Sequence, residues 1–133
     1  MLELSKRAID LGIVVRNTDA CRQFYGDLLG FEFEGAVDMP GGAKMYRYLC
    51  GDTVIKLVAM AQTPAASNPA NGLMGGSGLR YFTIVVNNLE AAHQACVDAA
   101  VPIAISPRES RPGVRICIVE DPDGNWVEFV QYA

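Results

Sequence analysis

One histidine and four separated cysteines set narrow limits on the chemistry open to this chain. His93 is the sole imidazole, and it falls among Leu89, Ala92, Cys96 and Ala99, an apolar set at helical spacing. A catalytic zinc, nickel, iron or manganese ion takes about three protein ligands, commonly imidazoles and carboxylates, so His93 is expected to be an ordinary helix residue. Cys21, Cys50, Cys96 and Cys117 include no C-x-x-C pair. That short spacing is what lets two sulfurs share a metal or exchange electrons. With no secretion signal, the four are expected to be reduced thiols acting as small hydrophobes. Phosphate loops, hydrolase elbows and zinc knuckles are absent. Asp10, Lys56, Tyr81, Trp126 and Glu128 are polar or aromatic residues in or beside apolar strands. Glu128 could take a proton beside a carbonyl, and Lys56 or Tyr81 could hold the resulting enolate oxygen without a metal. Trp126 and Tyr81, with Tyr46 and Tyr48, could stack on a planar ligand. Arg108, Arg111 and Arg115 surround an Arg-Pro-Gly turn and are expected to be a solvated hairpin.

These residues need elements to position them, and the chain builds its elements twice. Residues 12–24, GIVVRNTDACRQF, match residues 83–95, TIVVNNLEAAHQA, at an offset of 71, and TVIKLV at 53–58 resembles NWVEFV at 125–130 at an offset of 72. Two stretches in order at almost one offset indicate a tandem duplication. Each copy begins with a β-branched apolar strand, Leu11–Val15 or Phe82–Val86. A helix follows, with Asn17 or Asn88 expected at its N-cap and Asp19 or Glu90 in its first turn. Gly30 suits a left-handed stop for the first helix, and Pro102 bars extension of the second. Three short strands complete each copy: Phe31–Val37, Lys44–Cys50 and Thr53–Ala59, then Ile103–Pro107, Val114–Val119 and Trp126–Tyr132. Turns fall at Gly51-Asp52 and at Asp121-Pro122-Asp123-Gly124. The expected organisation is one domain over residues 1–133. Module one covers 8–60, a Pro- and Gly-rich linker covers 61–78, and module two covers 79–132.

Strand alternation sorts the candidates by face. If Leu11, Ile13 and Val15 meet the helix, Asp10, Gly12 and Val14 point the other way. The same parity groups Tyr81 with Thr83 and Val85, and Trp126 with Glu128 and Val130. Asp10, Lys56, Tyr81 and Glu128 are thereby expected on the concave sheet face, with Asp10 and Lys56 as an ion pair across neighbouring strands. Parity alone leaves the faces of Tyr46 and Tyr48 open.

The β-α-β-β-β duplication, with FYGDLLGFEF after the first helix and VEDPDGNWVEFV near the end, resembles the vicinal oxygen chelate superfamily over residues 8–132. Glyoxalase I, bleomycin-resistance proteins, extradiol dioxygenases and methylmalonyl-CoA epimerase belong to it. The resemblance implies an α+β fold: two tandem β-α-β-β-β modules forming a cupped, mostly antiparallel mixed sheet with helices outside. It also implies a homodimer. Metal ligands in the family's enzymes come from the first and last strand of each module, and the matching positions here are Asp10, Lys56, Tyr81 and Glu128. Only Glu128 keeps a ligand type that the metal-using relatives show, and Lys56 brings positive charge to a cation's place. No metal or other cofactor is therefore expected.

Charge and hydropathy complete the picture. Fifteen acids against eleven bases give a net charge of -4, without the basic face that a nucleic acid partner requires. That balance favours a neutral or cationic ligand. No apolar run is long enough to span a membrane, and a cytoplasmic protein is expected. The expected function is metal-free binding of a small organic molecule, as in bleomycin-resistance proteins. The alternatives are a lyase, isomerase or epimerase acting next to a carbonyl, metal-free or with an atypical divalent metal site, and a non-catalytic interaction module.

Overall fold

The computed structural model describes all of residues 1–133, which divide into two compact units, Met1–Ala66 and Ser67–Ala133. In the first, strand β1 (Leu11–Val14) leads to helix α1 (Thr18–Arg22), then to β2 (Glu32–Asp38), β3 (Lys44–Cys50) and β4 (Thr53–Ala59). In the second, β5 (Tyr81–Val85) leads to α2 (Leu89–Asp98), then to β6 (Ile103–Arg111), β7 (Val114–Glu120) and β8 (Trp126–Tyr132). Each unit is an α+β layer with a four-stranded mixed sheet, ordered β1-β4-β3-β2 in one and β5-β8-β7-β6 in the other. The first and last strands of each unit run parallel, and the other neighbours run antiparallel.

The registers carry the duplication into three dimensions. Gly12 pairs with Lys56 in unit one as Thr83 pairs with Glu128 in unit two, so the sequence offsets of 71 and 72 are equivalences of position. Apolar alternation decides which face each helix covers. Ile55 and Leu57 of β4 are buried on the side where α1 packs. Val127 and Phe129 of β8, with Cys117 and Val119 of β7, are buried beneath α2, whose Leu89 and Cys96 are equally enclosed. Fully burying one such side chain stabilises the fold by roughly 1.5–3 kcal/mol.

Helix capping differs from the expected pattern. Neither Asn17 nor Asn88 makes a side-chain cap hydrogen bond. At α2 the Leu89 N–H instead donates 2.8 Å to Gln131 Oε1, so an acceptor from β8 takes the place of a local cap. The first helix also changes pitch, passing from α geometry at Thr18–Arg22 to a π-helix over Gln23–Leu28. Gly26 lies in that wide turn, and a Cβ there would come within 2.8 Å of the Tyr48 ring. The absent side chain lets Tyr48 fill the space. Gly30 then ends the helix with φ +79°, the left-handed conformation expected of it.

Candidate functional site

The two-residue turn at Gly51-Asp52 determines what faces what in unit one. It pairs Cys50 with Thr53, and counting outward sets Arg47 opposite Lys56 and Tyr48 opposite Ile55. Tyr46 and Tyr48 consequently lie on the helix side of the sheet and cannot stack on a ligand at the opposite face. Tyr48 is buried, and its hydroxyl accepts a 3.0 Å hydrogen bond from Arg22 Nε. The Arg22 guanidinium lies 4.2 Å from the centre of the Tyr46 ring and 5.0 Å from that of Phe33, a cation–π stack built into the helix face.

On the helix-free face, Asp10 lies just before β1. Its Oδ1 accepts from Lys6 Nζ at 2.5 Å and from the Val54 N–H at 2.9 Å, while Lys56 Nζ stands 3.9 Å from Oδ2. The expected Asp10–Lys56 pair is present but loose, and Asp10 is mainly engaged by Lys6 and the β4 backbone. Those two hydrogen bonds, Lys6 first, hold the Asp10 carboxyl below the usual 3.8. Farther along the same cross-strand line, Arg47 Nε donates to Glu34 Oε1 at 3.2 Å.

In unit two, Thr83 Oγ1 donates to Glu128 Oε1 at 2.6 Å, which orients the carboxylate on the helix-free face of β8. Tyr81 pairs with Trp126 one step along, and it is half exposed at 49%. The Trp126 indole N–H donates to Glu120 Oε1 at 3.1 Å. One edge of that indole is closed by the segment before β5, because a Cβ on Gly72 would lie 2.1 Å from Trp126 Cζ2. Arg80 holds the segment down, donating to the carbonyls of Gly72 and Pro69 at 2.8 and 2.9 Å. Asn68 adds a 2.9 Å hydrogen bond to the Asn125 side chain. The second half of the Pro- and Gly-rich stretch is thus tied to the second unit.

Thr83, Arg47 and Lys6 were not singled out from the sequence, yet each touches or opposes a candidate. The turn at Gly51-Asp52 was the signal for Arg47, since a two-residue hairpin dictates register. Nothing local marks Lys6. Among the arginines near the β6–β7 turn, Arg115 is engaged on the helix side, with its guanidinium on Glu90 at 2.5 Å.

The donor chemistry of these positions does not suit the divalent metal of the family that the sequence resembles. Lys56 is an ammonium, Tyr81 a phenol, and in neither unit do three His, Cys, Asp or Glu side chains come together. His93 stands partly buried on α2, on the helix side of the second unit.

The same architecture recurs among solved structures. A glyoxalase family protein from Bacillus cereus matches with a TM-score of 0.81 at 13% identity, covering 98% of this chain and 96% of that one. An antibiotic-binding protein from a Streptomyces species matches at 0.72 and 17% identity, covering 98% and 100%. A glyoxalase I variant from Zea mays matches at 0.80 and 19% identity, covering 97% of this chain and 46% of that chain. At these identities the likeness is one of fold. No curated protein sequence matches. The family profile for the glyoxalase/bleomycin resistance protein/dioxygenase superfamily spans residues 8–129, and with the duplicated fold it establishes that the chain belongs to that superfamily.

Proposed function

We propose that the chain binds a small organic molecule at the helix-free faces of its sheets, without a metal. The observation that carries this reading is the placement of Lys56 and Glu128. Both stand at equivalent rungs on those faces while the opposite faces are filled by the helices. A small number of polar groups on an otherwise apolar wall is how small-molecule sites orient their ligands. Asp10 attracts Lys56 loosely from 3.9 Å, Thr83 positions Glu128, and Tyr81 with the open side of Trp126 offers aromatic surface. The antibiotic-binding relative gives the reading a precedent on this fold. The active form is proposed to be a homodimer, the commonest soluble oligomer. Light scattering is expected to return about twice the mass of one chain.

A panel of small aromatic and heteroaromatic compounds tests the proposal. A true ligand raises Tm in proportion to the logarithm of its concentration and is recovered chemically unchanged. A panel that moves Tm nowhere, together with a stable complex with another protein, would replace it by an interaction module.

A catalytic reading is favoured by one observation, the 2.6 Å hydrogen bond that fixes the Glu128 carboxylate. In that case the family's carbonyl chemistry, as a lyase, isomerase or epimerase, would use Glu128 as the base with Lys56 or Tyr81 on the enolate oxygen. Glu128→Gln would then abolish turnover by about 100-fold or more while leaving the fold intact. Full turnover in that variant would remove Glu128 as the base.

A further inference from the structure

One cross-strand line in unit one runs Gly12, Lys56, Arg47, Gly35 across β1, β4, β3 and β2. Two cations therefore face each other directly on neighbouring antiparallel strands, an arrangement that by itself disfavours folding. Each is drawn outward by a carboxylate on its far side, Arg47 by Glu34 and Lys56 by Asp10. Neither cation is used up. The Lys56 ammonium stands 3.9 Å from Asp10, beyond hydrogen-bond length, so its three N–H groups donate to no protein atom. Arg47 spends only Nε, which leaves the two terminal nitrogens of its fork without a protein acceptor. At both ends of the line there is glycine, and a Cβ built at Gly12 or Gly35 would meet nothing within 4 Å. The charged groups around the line are Lys6, Lys56 and Arg47 against Asp10 and Glu34, an excess of one positive charge in a chain whose net charge is -4.

We propose that Lys56 and Arg47 form an anion subsite that receives the carboxylate of a small organic acid, with open floor at Gly12 and Gly35 for the body of the ligand. An arginine fork and an ammonium on adjacent strands offer a planar carboxylate two directions of charge-assisted hydrogen bond. The inference rests on the ligand-binding reading above and narrows it to acids, against the cationic or neutral ligand that net charge alone suggests.

The test uses benzoate and its neutral isostere benzamide, followed by backbone and arginine side-chain amide NMR of the full chain. Benzoate is expected to shift Gly12, Lys56, Arg47 and Gly35 along one saturable curve, with benzamide at least about tenfold weaker. Lys56→Gln and Arg47→Gln should each weaken benzoate by about tenfold and leave benzamide unchanged. Arg47→Lys, which keeps the charge and loses the fork, should fall between. The unperturbed remainder of each spectrum reports that the variant is folded. Equal shifts from benzoate and benzamide at these residues would overturn the anion subsite while leaving the ligand-binding reading standing. Shifts confined to Tyr81, Trp126 and Glu128 would do the same. No saturable shift anywhere from either probe or from the wider compound panel would overturn both.

Discussion

Asp10 illustrates how a residue picked out by position turns out to act on its own surroundings. Its carboxylate receives the Val54 N–H at the place where, in the second copy, Tyr81 simply pairs with Trp126 along the ladder. The hydrogen bond from Lys6, then that from Val54, with weaker attraction from Lys6 and Lys56, holds its pKa below 3.8. A carboxyl lowered by folding contributes stability that is present above its unfolded pKa and lost as the pH falls through the folded one. Asp10→Asn should therefore lower Tm near neutral pH, and the deficit should shrink as the pH is taken below 3.8. A deficit that stays constant across the acid range would show that shape rather than charge matters there. The thiols make the opposite case. Burial first, then the neighbouring Cys96, Glu90 and Glu128, pushes Cys117 up to about 11. At pH 8 about one such thiol in a thousand is ionised, and the thiolate is the reactive form. Iodoacetamide is expected to leave Cys117 unmodified in the native protein and to label it in denaturant, as read by peptide mass spectrometry. Rapid native labelling would reveal local opening beneath α2.

At the scale of elements, β1–β5, β7 and β8 were legible to within a residue because apolar alternation and Gly or Asp-rich turns bound them. The extension of β6 to Arg111 was not, since Pro107 and the charged run after it read as turn, and the irregular register of an edge strand accommodates both. The facing of Tyr46 and Tyr48 was available in the sequence. The Gly51-Asp52 hairpin fixes it through register, and parity within a single strand cannot. The expected Asn88 cap of α2 is absent from the structure because Gln131, 42 residues away, supplies the acceptor for Leu89. The π turn around Gly26 has no local signature, and it becomes intelligible only beside the Tyr48 ring. The segment before β5 offers a direct experiment, since Gly72 combines φ +52° with contact on the chain's single tryptophan. Gly72→Ala is expected to cost about 1–3 kcal/mol and to shift Trp126 emission as the segment lifts. Gly76→Ala, with nothing within 4 Å of the added methyl, should do neither. An unshifted emission in Gly72→Ala would show that the segment accommodates a side chain without leaving the indole.

For the whole molecule, the family was readable from the duplication and two motifs, whereas the candidate site was readable only as a set of positions. What those positions do depends on neighbours such as Arg47, Thr83 and Lys6, which are brought in by register and not by sequence proximity. No helix is long and apolar enough to cross a membrane. The metal-free reading predicts that EDTA leaves Tm and ligand binding unchanged, and that elemental analysis after exposure to Zn, Ni, Mn and Fe(II) and exhaustive desalting finds far less than one ion per chain. Stoichiometric retention would reverse it. The two equivalent lines, Gly12–Lys56–Arg47–Gly35 in one copy and Thr83–Glu128–Ile118–Ile105 in the other, rest on the same backbone with opposite charge at the second position. After the duplication, the buried faces had to keep their apolar pattern or lose the fold, while the helix-free faces were at liberty to drift apart. One inherited scaffold thus carries two helix-free faces of different character, and the side chains of each can be exchanged by selection or by design while the apolar pattern beneath the helices is left alone.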